Sequence, residues 1–195
     1  HQRAMFRELQ HRVANNMQFI ASMLERAGQR VEDPAARQVL EQATGRVIGM
    51  ARLQRRLLDP DIGRHRLAPL LRAVLGQTFR GLEVTLTINV APLELTADQR
   101  TALVLLVSEA ATNAAKHVFS PRRGHCFTVA LGQCPGGRAR LELRDDGPGG
   151  VEIGRPDSGM KLGIAIMQGL AGQLGGPLVV GPGPGTVLQV EFPVS

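Results

Sequence analysis

Trp and Tyr are absent from this chain of 195 residues, and Phe alone supplies the aromatic content of 3%. So few rings argue against a binding module built on stacked aromatics. Cys126 and Cys134 are the only cysteines. Two do not make a disulfide framework, and no partner ligands stand at zinc-site spacing, so free thiols in a reducing compartment are expected. No apolar run approaches the roughly 20 residues of a membrane span. A charged-then-apolar leader with a cleavage signal is missing too, and a soluble piece of chain is expected. Acidic residues are outnumbered, 17 against 23 Lys and Arg, giving a formal charge of +6. Residues 1–66 hold most of that excess, with 12 basic against 7 acidic side chains, while the remainder carries 11 against 10. A basic N-terminal part suits nucleic acid or an acidic protein partner equally.

What is present falls into two regions. In residues 4–27, Phe6, Leu9, Val13, Ile20 and Met23 recur at spacings of three and four, with Asn16 in the missing place. That is the seam of a coiled coil or helical bundle. Gly28 closes the helix, and Asp33-Pro34 reads as an N-cap and first-turn proline of a second helix reaching about Leu58. Ala36, Leu40, Ala43, Val47, Met50 and Leu57 carry its stripe. A lone hairpin leaves one stripe wet, so pairing of two hairpins into a four-helix bundle is expected. Asp59-Pro60-Asp61-Ile62-Gly63 marks a boundary. Beyond it, a helix is predicted over Leu67–Phe79, and Val84, Leu86, Ile88 and Val90 alternate with polar residues as a half-buried strand does. A helix over Asp98–Phe119 precedes alternating strands through Phe127–Leu131 and Ala139–Leu143. A helix over Leu162–Leu174 and strands at Leu178–Val180 and Val187–Phe192 follow. This is the pattern of a two-layer α/β domain with a mainly antiparallel or mixed sheet and helices on one side.

Four short stretches can carry chemistry. His11 takes an outer position on the first helix, where a neutral imidazole is a competent nucleophile toward phosphorus, although a lone surface histidine needs no function. In VSEAATNAAKHVF, Glu109, Asn113 and either Lys116 or His117 share one helical face. An Asn amide oxygen there can enter a Mg²⁺ shell with waters and phosphate oxygens. Lys116 can supply charge, and Glu109 can orient or deprotonate a nucleophile; solvated decoration is the plain alternative. Asp145-Asp146-Gly147-Pro148-Gly149-Gly150 follows a strand. A carboxylate at a strand end can accept from an exocyclic amine, and glycines admit a flat base, yet Asp-Gly also marks ordinary turns. Ser158–Ile164 is glycine-containing chain running into a helix whose first N–H groups suit a triphosphate. Neither a P-loop nor a dinucleotide fingerprint is present. Thr186, before the last strand, can add a hydroxyl contact or simply begin that strand. Between residues 132 and 185 lie 16 Gly and 6 Pro, a density that fits turns or loops closing over a ligand.

In this order the stretches resemble a sensor histidine kinase core. FRELQHRVANNMQFIASML at residues 6–24 is similar to the HisKA_2-type phosphoacceptor box, roughly RELxHRVxNNLQxIxSLL. The rest resembles the ATP-binding domain shared by gyrase, Hsp90 and these kinases (GHKL, or Bergerat, type). The resemblance implies an α+β chain: a dimerisation and phosphotransfer hairpin at residues 1–62, forming a four-helix bundle in a homodimer, then an ATP-binding two-layer sandwich at residues 63–195. His11 matches the phosphorylated histidine. Glu109 and Asn113 match the acid and the magnesium ligand of the N-box, which Lys116 and His117 complete. Asp145 matches the residue that reads the adenine amine, beside Gly147 and Gly149. Gly163 matches the glycine ending the lid, and Thr186 the threonine of the terminal GT motif. The implied activity is transfer of the γ-phosphoryl group of ATP, with Mg²⁺, to His11 and then to an aspartate of a response-regulator receiver domain. A cytoplasmic core cut from a longer protein with its own sensor domain is implied, and nucleic acid is not an expected partner. The pattern departs at Arg12, where larger kinase groups carry an acid, and in the short stretch from Gly150 to Ser158. Two alternatives compete: a histidine phosphotransferase with a second domain that no longer binds ATP, and a basic dimeric nucleic-acid-binding protein.

Overall fold

Alternation decides the strands, and the helices follow from what the strands leave uncovered. In the computed structural model, which describes residue 20 and residues 22–57, 67–149 and 158–194, the chain forms two compact units, His1–His65 and Arg66–Ser195.

In the first unit, residues 22–29 are helical and the chain turns at Arg30 into α1 (Pro34–Leu57). Pro34 opens α1 because its missing N–H has no intrahelical partner there in any case. The turn is tied by Arg37, whose Nε and Nη2 both donate to the Val31 carbonyl at 3.2 and 2.7 Å. A Cβ on Gly28 would stand 3.6 Å from that of Leu40, so the two helices approach closely. Thr44 and Ala51 are the buried residues of α1 among those described, and the Thr44 hydroxyl is satisfied by the Leu40 carbonyl at 2.8 Å. Ile20 and Met23, expected on the seam, are 49% and 56% exposed. The helix expected over residues 4–27 otherwise lies outside the described residues, as do His11 and the boundary at 59–63.

The second unit holds α2 (Leu67–Thr78), β1 (Thr85–Val90), α3 (Ala97–Ala114), a π-helical turn at Ala115–Phe119, β2 (Cys126–Cys134), β3 (Arg138–Asp145), α4 (Ser158–Leu174), β4 (Leu178–Val180) and β5 (Val187–Pro193). The sheet order is β1-β2-β3-β5-β4, with β1 parallel to β2 and all other pairs antiparallel. Phe127, Val129 and Leu131 on β2, and Ala139, Leu141, Leu143 and Asp145 on β3, are buried on one face. The alternate positions, Arg140 and Glu142 among them, are more open, and Arg140 pairs with Glu191 there at 2.5 Å. Helices therefore cover one face only. α3 is the central helix: Ala102–Val107 are buried without interruption because it packs against α2, α4 and the sheet. Its start is fixed by a capping box, in which Thr96 accepts from the Gln99 N–H and Gln99 from the Thr96 N–H, both at 3.1 Å. Among the described residues no helix is long and apolar enough to cross a membrane.

Candidate functional site

The polar row of the sequence leaves the α-helix before it ends. α3 stops at Ala114, and over Ala115–Phe119 the bonds lengthen to the π pattern, with the Ser120 N–H donating to the Ala115 carbonyl at 2.9 Å. Such a turn holds one more residue than an α-turn and recurs at functional sites. Here it buries Val118 and Phe119 and settles which of the two neighbouring side chains, Lys116 or His117, accompanies Asn113. Asn113 and His117 line a common cavity, whereas Lys116 is exposed outside that lining. Phe119 is held edge-on by Phe79 from the end of α2, at 5.3 Å between centroids, and Phe79 meets Phe127 at 5.2 Å.

The cavity opens to solvent and, with the open space at its mouth included, spans about 540 Å³. Ala110, Ala114, Val118, Phe127, Leu143, Ile164, Met167 and Leu188 make its apolar wall, and Asn113, His117, Arg144, Asp145 and Thr186 supply its polar groups. Asp145 ends β3 and is 6% exposed. Its Oδ1 accepts from the Gly147 N–H at 3.0 Å and from the Thr186 N–H at 3.2 Å. Its own N–H donates to the Thr186 carbonyl at 3.0 Å. With Oδ1 committed to two backbone donors, Oδ2 is the oxygen left for a ligand donor. Glycines make this corner possible. A Cβ on Gly147 would stand 2.7 Å from both Val118 methyls, and one on Gly149 would stand 2.8 Å from the Gly185 carbonyl.

Gly185 is the tightest of these positions. It has φ +79°, and a Cβ there would overlap the Asp145 carbonyl. Gly136, in the β2–β3 turn, has φ +78° with open space around it. Gly136→Ala therefore isolates the backbone cost and is expected to lose about 1 kcal/mol. Gly185→Ala adds a collision with main chain that no rotamer relieves, for a loss of about 3 kcal/mol. Paired thermal unfolding of the two variants checks this; equal losses would remove the collision from the account.

Asp146 points the other way and is exposed. Its Oδ1 accepts from the His125 and Cys126 N–H groups, both at 2.8 Å. Desolvation alone would raise its pKa, but these backbone donors outweigh it, and the carboxyl titrates below its ordinary range. Its stabilising contribution is thus present above the unfolded value of about 3.9 and lost as pH falls through the lower folded value. The Cys126 thiol is pushed up, first by desolvation and then by the charge and hydrogen bond of Asp146.

Of the residues singled out in the sequence, Asn113, His117, Asp145 and Thr186 come together at the cavity, with Gly147 and Gly149 at its β3 corner. Glu109 lies one turn before Asn113, buried at 6% and outside the lining. Gly163 differs in setting. α4 begins at Ser158, ahead of the expected Leu162, so this glycine is buried inside the helix. The stretch 150–157 lies outside the described residues. Sequence reasoning missed Phe127, Ile164 and Met167 as wall residues, since an apolar side chain on a core face carries no separate mark. It also missed Gly124, where a Cβ would meet Asp146 Oδ1 at 2.5 Å and Val118 at 2.8 Å.

The chemistry of this donor set fits a purine nucleotide. An acceptor at the end of an apolar slot suits a flat ring with an exocyclic amine. For Mg²⁺ the lining offers one neutral amide oxygen, from Asn113. No group of three His, Cys, Asp or Glu side chains able to hold a metal occurs among the described residues. A magnesium ion here would be shared with phosphate oxygens and water, as that ion prefers.

Two family models match the chain. Residues 8–81 match the model described as histidine kinase (HisKA_2). Residues 98–195 match the ATPase model described as histidine kinase-, DNA gyrase B-, and HSP90-like (HATPase_c). The chain is 27% identical over 208 residues to the sensor histidine kinase PdtaS of Mycolicibacterium smegmatis, covering 97% of this chain and 40% of that protein. It is 29% identical over 204 residues to the blue-light-activated histidine kinase 2 of Erythrobacter litoralis, covering 96% of this chain and 56% of that one. The chain thus spans about half or less of the length of these curated relatives. Among solved structures, the blue-light activated histidine kinase EL346 of Erythrobacter litoralis superposes with a TM-score of 0.65 at 23% identity, over 94% of this chain and 59% of that one. That likeness is one of fold.

Proposed function

This chain belongs to the histidine kinases, as a phosphoacceptor region followed by an ATP-binding domain, and from that premise we propose that it phosphorylates its own His11 from ATP. The observation that carries the reading is Asp145: buried, bonded through one oxygen to Gly147 and Thr186, and set in the wall of the cavity that also takes Asn113 and His117. The adenine ring lies against the apolar wall with its amine on Asp145, and the phosphates run toward Asn113, His117 and Lys116. Asn113 is the residue that would hold Mg²⁺, which when bound neutralises charge on the phosphate oxygens. Lys116 adds charge stabilisation, and Glu109 is the carboxylate assigned to orient or deprotonate the nucleophile. At His11 an imidazole nitrogen bonds to the γ-phosphorus, the bond to the bridging oxygen breaks, and ADP leaves.

Residues 1–62 are assigned to phosphotransfer and 63–195 to nucleotide binding. A response-regulator receiver domain is the proposed acceptor from His11, and the basic character of residues 1–66 favours docking of an acidic face. The exposure of Ile20 and Met23 supports a second copy of the hairpin as their cover.

Incubation with γ-labelled ATP and Mg²⁺ tests the reading. Acid-labile, base-stable label is expected on the wild-type chain and none on His11→Ala. Label that survives in His11→Ala overturns the assignment of the acceptor. A chain that takes phosphate on His11 from a phosphorylated receiver, yet binds no ATP, is the histidine phosphotransferase instead.

A further inference from the structure

The β2–β3 ladder ends at the pair Phe127–Asp145, both of them cavity residues. Beyond it the backbone bond from Asp146 to Cys126 stretches to 3.3 Å, and the chain bends away through Gly147. The Asp146 side chain continues the pairing where the main chain stops, with one oxygen holding two consecutive N–H groups of the opposite strand at 2.8 Å. With the long Asp146–Cys126 backbone bond, these two side-chain bonds tie the 145–147 bend to the start of β2. The corner has no slack on its other side, since Gly124 and Gly147 both press against Val118, itself a wall residue.

Resting on the reading of the cavity as a nucleotide site, we infer that Asp146 is a positioning residue: its carboxylate clamps the β3 bend to the start of β2 and so sets Asp145 against Phe127 and Val118. Asp146 is not in the lining and is exposed. It acts through its neighbours. The clamp is a matter of acceptor geometry, and the lowered pKa of the carboxyl agrees with two backbone donors aimed at it. His125 and Cys126 are exposed, so water can satisfy their N–H groups when the clamp is removed. The fold then survives while the bend loses its anchor. A displacement of Asp145 by a fraction of an ångström is enough to spoil a hydrogen bond on which binding depends.

Two substitutions separate positioning from charge. Asp146→Ala removes the acceptor, and Asp146→Asn keeps an amide oxygen at the same reach while removing the charge. The full chain is used, with a non-hydrolysable ATP analogue titrated calorimetrically and amide hydrogen exchange followed without nucleotide. Asp146→Ala is expected to weaken the analogue about tenfold and to speed exchange at Cys126, Gly147 and Thr186. Asp146→Asn is expected to remain near wild type in both. An alanine variant that binds like wild type overturns the inference, whatever its exchange shows. Equal weakening by Ala and Asn overturns it as well, because the charge alone would then be responsible. A wild-type chain that binds no analogue overturns the reading of the cavity and this inference with it, and the wild-type titration tells that failure from the other two.

Discussion

Replacing Asp145 by Asn is expected to abolish tight ATP binding while leaving the fold intact. The carboxylate uses Oδ1 for the Gly147 and Thr186 N–H groups. Those two donors dictate how an asparagine must sit, with its oxygen in the place of Oδ1 and its NH₂ in the place of Oδ2. The groups that hold β3 to β5 at this corner are thus still paired, and the thermal midpoint should move by only a few degrees, on the order of 1 kcal/mol. Toward the ligand the change is complete. Where, on the proposed reading, an acceptor meets an exocyclic amine, the variant sets a donor against a donor at a buried position. Losing a charge-assisted bond and leaving a buried donor unmet together cost about 3 kcal/mol or more, which is about 100-fold in affinity. The sharper check is inosine triphosphate, whose ring carries an oxygen where ATP carries the amine. Wild type should prefer ATP, and Asp145→Asn should lose or reverse that preference. If the variant binds both as wild type does, Asp145 does not read the base.

The elements that alternate, such as Phe127, Val129 and Leu131 against the polar faces of β2, were legible because each strand carries its own period. The helical row was legible only up to Asn113. Spacings of three and four both fit an α-helix, so nothing local distinguishes Lys116 from His117. The π turn that distinguishes them depends on Val118 wedging against Gly124 and Gly147 and on Phe119 meeting Phe79, some 40 residues earlier in the chain. The early start of α4 has a similar origin. Ser158 and Gly159 read as loop by intrinsic preference, while the buried positions further along, Met167, Leu170 and Ala171, reward a longer helix. The start of α3 was within reach: Thr96-Ala97-Asp98-Gln99 has the capping-box spacing, and the box forms between Thr96 and Gln99. His11 stands at the other extreme. A histidine on an outer helical position has no mark of its own, and only the string around it points to phosphotransfer.

The match to the ATPase family model begins at residue 98 and that to the phosphoacceptor model ends at residue 81, yet the second compact unit begins at Arg66. A chain cut to residues 98–195 is therefore expected not to fold, whereas one cut to 66–195 should melt cooperatively. The missing piece in the shorter cut is α2 and β1. Leu70, Leu71, Val74, Leu75 and Phe79 are all under 8% exposed, packed on α3 and β1. At roughly 1.5–3 kcal/mol for burial of each such side chain, their removal forfeits about 10 kcal/mol. The whole net stability of a domain is of that order, about 5–15 kcal/mol. β1 is also the parallel partner of β2 over six residue pairs, so the cut turns β2 into a bare edge. Far-UV circular dichroism and thermal melts of the two fragments check the expectation, and a cooperative transition in residues 98–195 would refute it. Nucleotide affinity follows the same line. Phe79 braces Phe127 and Phe119, so the helix that a motif-based boundary assigns to the phosphoacceptor region is the one that shapes the wall of the cavity proposed for ATP.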